Sequence, residues 1–336
     1  MGIYYRKVKF VWVLLKKVNQ NLIIAIPVAM LLGFLAGIIA DTAMLKPWIT
    51  PLTIVMVYPM MVTLNFKKVL VGKDTKAQVL ALLVNFGMIP LLAYLTGQIF
   101  FPDEPYLQLG LLIAGLVPTS GMTVSWTGFA KGNVEAATKM TIIGLLAGSL
   151  ATPFYLQFLL GTVANVDFGE VLSQILTIII APMIAGFFTR QLLVNRYGQA
   201  AFQKEVAPKF PLVSTVGVLG IVFIAIALKA GTIMQSPELL IRIFIPVMVI
   251  YIANFAVSTL VGKKLLPRDD AIALVYGTVM RNLSIALAIA MNTFREAGAE
   301  ASLVIAAAYI IQVQSAAWYV RFTDALFGPQ TGIRDR

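Results

Sequence analysis

The hydrophobic positions of the chain fall into ten long stretches that are separated by charged residues, prolines and other turn formers. A helix that crosses a lipid bilayer needs about 20 mainly apolar residues, at a rise of about 1.5 Å per residue. The stretches have about this length, so the pattern predicts an all-α membrane protein with ten spanning helices. These spans are expected at 22–40, 48–64, 79–100, 107–130, 136–160, 171–188, 211–228, 239–261, 271–291 and 301–318.

The composition supports a membrane protein and removes most enzyme chemistries. Of the 336 residues, 59% are hydrophobic and 12% are charged, whereas a soluble domain carries about a quarter charged residues. The chain has no Cys and no His, so it lacks a thiol nucleophile, an imidazole base and the commonest metal ligands. All 15 acidic residues fall in predicted loops, tails or span ends. We therefore expect no enzyme activity, no metal site and no cofactor.

The lysines and arginines predict the orientation in the membrane. Most of the 26 basic residues lie in alternate loops and in both tails, and such loops are held on the cytoplasmic side. We therefore expect a multi-pass protein of the cell (inner) membrane with both termini in the cytoplasm. The net charge of +11 then needs no nucleic acid partner. Residues 1–20 are predicted to be a cytoplasmic interfacial segment on the lipid, not a cleaved signal, and 323–336 a cytoplasmic tail.

Two segments indicate an internal repeat. GLVPTSGMTVS from Gly115 and ALVYGTVMRNL from Ala273 share Leu, Val and Met in register, about half a chain apart. Each half contains five spans, an odd number, so the second copy would be inverted in the membrane. We predict two inverted five-helix repeats, 21–162 and 163–322. Chance matches in apolar sequence are the alternative explanation.

Both segments interrupt a spanning helix. Pro118 in the fourth span lacks an amide donor and is followed by hydroxyl and glycine residues. The otherwise apolar ninth span is interrupted by Gly277, Thr278, Arg281, Asn282 and Ser284. Paired breaks at membrane depth are typical of the substrate sites of transporters. The alternative is a simple proline kink whose hydroxyls bond their own helix. The predicted substrate-binding residues are Thr119, Ser120, Thr123, Arg281, Asn282 and Ser284.

Three segments carry a resemblance to a known superfamily. VYPMMVTLNFKKV from Val57, PTSGMTVSWTGFAKGN from Pro118 and RNLSIALAIA from Arg281 resemble the superfamily that contains bile acid:sodium symporters and arsenite-efflux permeases. The resemblance extends over the whole chain in span number and motif order. It implies a core bundle of spans 3 to 5 and 8 to 10, in which broken spans 4 and 9 cross, and a panel of spans 1, 2, 6 and 7.

The chain departs from the superfamily at its functional positions. Arsenite permeases carry a Cys after the proline of span 4 and a Glu in span 9, where this chain has Thr119 and Ile285. The arsenic-binding thiol is therefore missing, and the span 9 glutamate of the sodium symporters falls on Gly277. Both departures argue against arsenite efflux and two-sodium coupling. The positions of the sodium ligands are occupied by Asn85, Thr123, Val124, Ala137, Thr141, Gly277 and Arg281.

Two basic residues within the predicted spans are candidates for ion coupling. Arg281 lies about 15 Å from the end of span 9, near the midplane, where it binds an anion, replaces a coupling cation or caps exposed carbonyls. Lys139 either pairs with Glu135 and extends to the interface, or places its ammonium beside the span 4 and 5 hydroxyls and carries the proton that replaces sodium. The candidate ion-coupling residues are Lys139, Thr141, Asn85 and Arg281.

The leading hypothesis is a secondary active transporter that moves a small organic anion by alternating access, proton-coupled or independent of sodium. The alternatives are a sodium-coupled organic anion symporter, an arsenite or metalloid efflux permease, and a membrane receptor or sensor. The lack of a soluble signalling domain at either end argues against a receptor. The expected partners are a small anionic substrate and membrane lipid, with a proton or sodium as the coupling ion.

Overall fold

The computed structural model describes residues 12–65, 74–161 and 167–329. All regular structure in these residues is helical, and eight helices are long and apolar enough to cross a membrane, or up to ten if each of two bent pairs is one span. The multi-pass helical prediction is confirmed, and the ten predicted spans equal the upper count. Much of the predicted interfacial segment and tail lies outside the described residues. The inverted repeat and the cytoplasmic termini stay predictions.

Helices dominate because a helix satisfies all of its backbone hydrogen bonds internally, which the bilayer interior requires. Short π-helical segments occur within three of the longer helices or at their ends, at Leu83–Met88, Leu176–Ile180 and Phe202–Val206. Short 3₁₀-helices cover Ala43–Trp48 and Ala207–Lys209. The α-helices run over Leu22–Ile39, Ile49–Thr63, Thr75–Leu82, Ile89–Phe100, Pro105–Leu116, Gly121–Phe129, Val134–Leu160, Phe168–Ile175, Ala181–Tyr197, Gln199–Ala201, Phe210–Gln235, Glu238–Leu265, Arg268–Val279, Leu283–Thr293 and Arg295–Phe327.

The chain divides into two compact units, and both halves of the sequence contribute to each. The first unit contains Met1–Leu64, Asp167–Ile241 and Ser284–Ala306. In this unit Gly33 and Gly37 allow a close approach of two spanning helices, because a Cβ at these positions would collide with the carbonyl oxygens of the opposite helix. Small residues at such contacts are a common means of packing membrane helices.

The second unit contains Asn65–Val166, Arg242–Leu283 and Ala307–Arg336. It therefore holds predicted spans 3, 4 and 5, most of span 8, the first part of span 9 and the last part of span 10. The resemblance implied a core with the whole of spans 9 and 10, whereas residues 284–306 group with the first unit. Every predicted site residue except Ser284 lies in the second unit.

Candidate functional site

The fourth span bends by 60° between helices Pro105–Leu116 and Gly121–Phe129. Pro118 cannot donate a helical hydrogen bond. Thr119 has a φ of 57°, a left-handed conformation that is unfavourable for a β-branched residue and marks local strain. The fifth span packs closely against this break through Gly148, where a Cβ would lie 2.6 Å from Cδ of Pro118. The predicted interruption of span 4 is confirmed.

The hydroxyl groups of this break bind the protein backbone. Ser120 caps the following half-helix: its Oγ accepts a hydrogen bond from the Met122 amide at 3.2 Å, and its own amide donates to Thr123 Oγ1 at 3.3 Å. The hydroxyls of Thr119 and Thr141 donate to main-chain carbonyls, each at 2.8 Å in its shortest bond. Thr119 and Thr123 are fully buried. These groups therefore stabilise the bend.

The ninth span is interrupted at residues 280–282, between two helical segments. The Arg281 amide donates to Gln312 Oε1 at 2.7 Å, and Gln312 Nε2 donates to the Arg281 carbonyl at 3.2 Å. Gln312 therefore replaces the helical partners of this peptide. The Asn282 amide donates to the Val117 carbonyl at 2.9 Å, which joins the ninth-span break to the fourth-span break.

The guanidinium of Arg281 is buried among neutral acceptors, with only 3% of the residue exposed. Nη1 donates to Asn85 Oδ1 at 2.5 Å and to the Thr278 carbonyl at 3.0 Å, and Nη2 donates to the Gly115 carbonyl. Nε has no partner. None of the ion pairs in the described part of the chain includes Arg281. Because buried charges are normally paired, this lone cation is the most unusual feature of the site.

Asn85 contacts Arg281 from the π-helical segment Leu83–Met88. Such segments are frequent at functional sites because they redirect side chains within a helix. Asn85 Nδ2 donates to the Gly277 carbonyl at 3.0 Å, which fixes Oδ1 as the acceptor for Arg281. The amide oxygen that the resemblance implies as a sodium ligand is therefore bonded to a guanidinium.

A cavity of about 20 Å³ adjoins Arg281 in the second unit. This volume accommodates about one water-sized group. Its walls are mainly apolar, and its other polar side chains, Tyr251 and Asn254, are already hydrogen-bonded within the protein. Arg281 therefore provides the one side chain at this cavity that carries both a formal charge and an unpartnered donor.

Lys139 is also buried, but it has acidic partners. Its Nζ lies 2.5 Å from Asp74 Oδ1 and 3.9 Å from Glu135 Oε1, and the side chains of Lys139 and Asp74 are 4% and 7% exposed. Burial raises the pKa of the Asp74 carboxyl, but hydrogen bonds from Lys139 and Gln78 outweigh this effect and hold the pKa below its ordinary value of 3.8. The expected contact with Glu135 is present, while Asp74 was not anticipated.

Several polar residues of the site were not identified from the sequence. Gln312 binds the Arg281 peptide, and Asn254 Nδ2 donates to the Thr278 carbonyl at 2.9 Å. Both are polar residues within apolar spans, which is the signal that could have found them. Conversely, Gly277 and Thr278 were expected within the interruption, but they lie in the helix before it.

Comparison with known proteins gives one matching family. The model described as Sodium Bile acid symporter family matches residues 50–236, more than half of the chain. An arsenical-resistance protein of Corynebacterium glutamicum is 26% identical over 74% of this chain and 70% of its own length. An uncharacterized sodium-dependent transporter of Bacillus subtilis is 27% identical over 63% of this chain and 64% of its own length. A probable chloroplastic sodium/metabolite cotransporter of Arabidopsis thaliana is 25% identical over 65% of this chain and 54% of its own length.

Proposed function

Since the chain belongs to the sodium bile acid symporter family, and is a secondary membrane transporter and not an enzyme, we propose that it carries a small organic anion by alternating access without sodium. The observation that carries this proposal is the Arg281 guanidinium, which is buried among neutral acceptors and has an unpartnered Nε. A carboxylate at Nε would supply the missing negative charge and a charge-assisted hydrogen bond.

Independence from sodium follows from what occupies the site. A buried sodium ion needs several oxygen ligands, usually with a negative charge among them. Here Asn85 Oδ1 and the Thr278 carbonyl oxygen already accept hydrogen bonds from Arg281, at 2.5 and 3.0 Å. A fixed guanidinium beside these oxygens also repels a second cation. Arg281 therefore takes the electrostatic place of a coupling ion.

Lys139 is a weaker candidate for coupling. Its ammonium is neutralised by Asp74 at 2.5 Å, so it adds no net charge for a substrate. No hydrogen bond in the described residues joins it to the hydroxyls of the fourth-span break. We therefore assign Lys139 a stabilising role and Arg281 the functional one.

The experiment begins with thermal unfolding of the purified protein in the presence of acetate, lactate, pyruvate, benzoate, succinate, sodium or arsenite. A bound ligand raises the melting temperature by mass action. Uptake of the most stabilising anion is then measured in proteoliposomes. We expect saturable uptake that persists in potassium buffer, falls at least about tenfold in Arg281→Gln, and is retained in Arg242→Ala. Arg242 is an exposed arginine that pairs with Glu104.

A strict need for a sodium gradient would contradict sodium independence, and full uptake by Arg281→Gln would contradict the assigned site. Metalloid efflux is the second candidate because of the identity with an arsenical-resistance protein over 74% of the chain. Stabilisation by arsenite alone would favour it. We expect no such effect, since the chain has no Cys to supply a thiolate.

A further inference from the structure

The second unit buries two basic side chains among its described residues, Lys139 and Arg281, each 3% exposed. The charge of Lys139 is balanced by Asp74 within the protein. The charge of Arg281 is balanced by none of the acids whose side chains are described. The acids whose side chains are not described are Glu296 and Asp335. Among the described side chains no acid neutralises Arg281, so the described part of the site carries a net positive charge.

This charge matters most when the site is closed to water. A lone buried cation is costly in a low-dielectric interior, and the cost falls when a counter-ion is present. The cavity beside Arg281 measures about 20 Å³ and has room for about one water-sized group, which is too little to hydrate a guanidinium. An anion at the unpartnered Nε, in a site that has widened to admit it, would neutralise this charge.

The charge balance differs between loaded and unloaded sites. A monovalent anion brings the sum of charges at the site to zero, a divalent anion leaves it negative, and the unloaded site stays positive. A sodium symporter releases its cations together with its substrate, so its unloaded site is relieved of charge. Arg281 is covalently attached and cannot be released in this way.

From this difference, and resting on the proposed function, we propose that the protein is an obligatory exchanger of monovalent organic anions. The site closes and reopens readily only with an anion on Arg281, so each anion that enters is exchanged for one that leaves. The mainly apolar cavity walls, with Ile89, Leu111, Val247 and Ile250 among them, favour a monocarboxylate with an apolar body. The exchange is electroneutral, because the loaded site has no net charge in either direction.

The test compares proteoliposomes that hold the unlabelled monocarboxylate chosen by the stability screen with proteoliposomes that hold only potassium sulfate. Radiolabelled monocarboxylate is added outside. We expect uptake at least tenfold faster into the vesicles that hold the monocarboxylate, and no change in rate when valinomycin sets a potassium diffusion potential. Internal succinate should not replace the monocarboxylate. The Arg242→Ala variant should show the same ratio as the unmodified protein.

The outcomes separate the two proposals. Equal uptake into both kinds of vesicle would overturn obligatory exchange and leave anion transport intact. A rate that follows the imposed potential would overturn electroneutrality and the charge balance on which the inference depends. Uptake into neither kind of vesicle would overturn the proposed function and the exchange together. The key comparison uses the unmodified protein, so it does not depend on the folding of an Arg281 variant.

Discussion

The two buried cations of the second unit differ in how their charge is satisfied. Lys139 lies on the continuous helix Val134–Leu160 and meets Asp74 at 2.5 Å. Arg281 lies in the break of the ninth span and meets only neutral groups, with Nε unpartnered. The two side chains are therefore equally buried, but only the charge of Lys139 is balanced by an acidic partner. An internal ion pair stabilises the fold and leaves nothing for a ligand, whereas a lone cation is available to an anion that comes from outside.

The local backbone explains why the two residues can differ. Within a regular helix the carbonyls are already bonded, so Lys139 needs a side-chain partner. At the break, carbonyls that would have been used within a helix are free for Arg281, and the Thr278 carbonyl at 3.0 Å is one of them. Gln312 holds the Arg281 peptide from both sides, at 2.7 and 3.2 Å. The break thus supplies enough dipoles to hold a guanidinium without a carboxylate.

The largest expected effect comes from breaking the ion pair. Asp74→Asn should lower the free energy of unfolding by about 3 kcal/mol, because the buried Lys139 ammonium then faces a neutral amide and keeps only Glu135, 3.9 Å away and 53% exposed, as an acidic neighbour. Adding Lys139→Met should restore most of this stability, since the poorly compensated buried charge is then gone. Thermal and denaturant unfolding of both variants in detergent measures the difference.

The same pair of variants tests the role of Lys139. If Lys139 only stabilises the fold, anion uptake per folded molecule in the double variant should match that of the unmodified protein. Loss of uptake in a stable double variant would restore Lys139 as an ion-coupling residue. Arg242→Ala, which removes an arginine that is 48% exposed in its side chain, serves as the control for charge removal.

A smaller effect, on the KM for anion uptake, is expected from giving Arg281 an acidic partner like the one that Lys139 has in Asp74. Asn85→Asp places a carboxylate where an amide oxygen lies 2.5 Å from Nη1. The internal carboxylate should compete with the substrate and raise KM for anion uptake about 100-fold, the worth of a charged hydrogen bond. The melting temperature should be unchanged or higher.

The control for this change is Asn85→Ala, which removes the amide without adding a charge. It should retain more uptake than Asn85→Asp. If the two variants lose uptake equally, the amide itself is essential and the charge argument for Arg281 fails. The readouts are KM and melting temperature measured on the same preparations.

The burial of Arg281 could be predicted from the sequence, whereas the ion pair of Lys139 could not. Arg281 stands out as a charge near the middle of an apolar span, and the polar residues around Pro118 mark the first break. The pairing of Lys139 could not be predicted, because Asp74 is 65 residues away and lies where the pattern indicates a loop. Hydrophobic patterns report burial and local structure, but they carry little information on which distant side chains meet. The same limit hid Gln312, which contacts Arg281 across 31 residues of sequence.

The smallest expected effect is on the pH dependence of stability. It distinguishes a purely structural Asp74–Lys139 ion pair from a pair that couples transport to protons. The pKa of Asp74 is held below its ordinary value of 3.8, so the folded state favours the ionised carboxylate. The stability from this pair is therefore fully present above the unfolded pKa of about 4 and is lost as the pH falls through the lower folded value. The melting temperature of the unmodified protein should decline more steeply below about pH 4 than that of Asp74→Asn/Lys139→Met. Between about pH 5 and 8 the two curves should be parallel, because Asp74 remains ionised throughout. A difference in slope within that range would mean that the pair exchanges a proton near neutrality, and would make it a candidate for proton coupling after all.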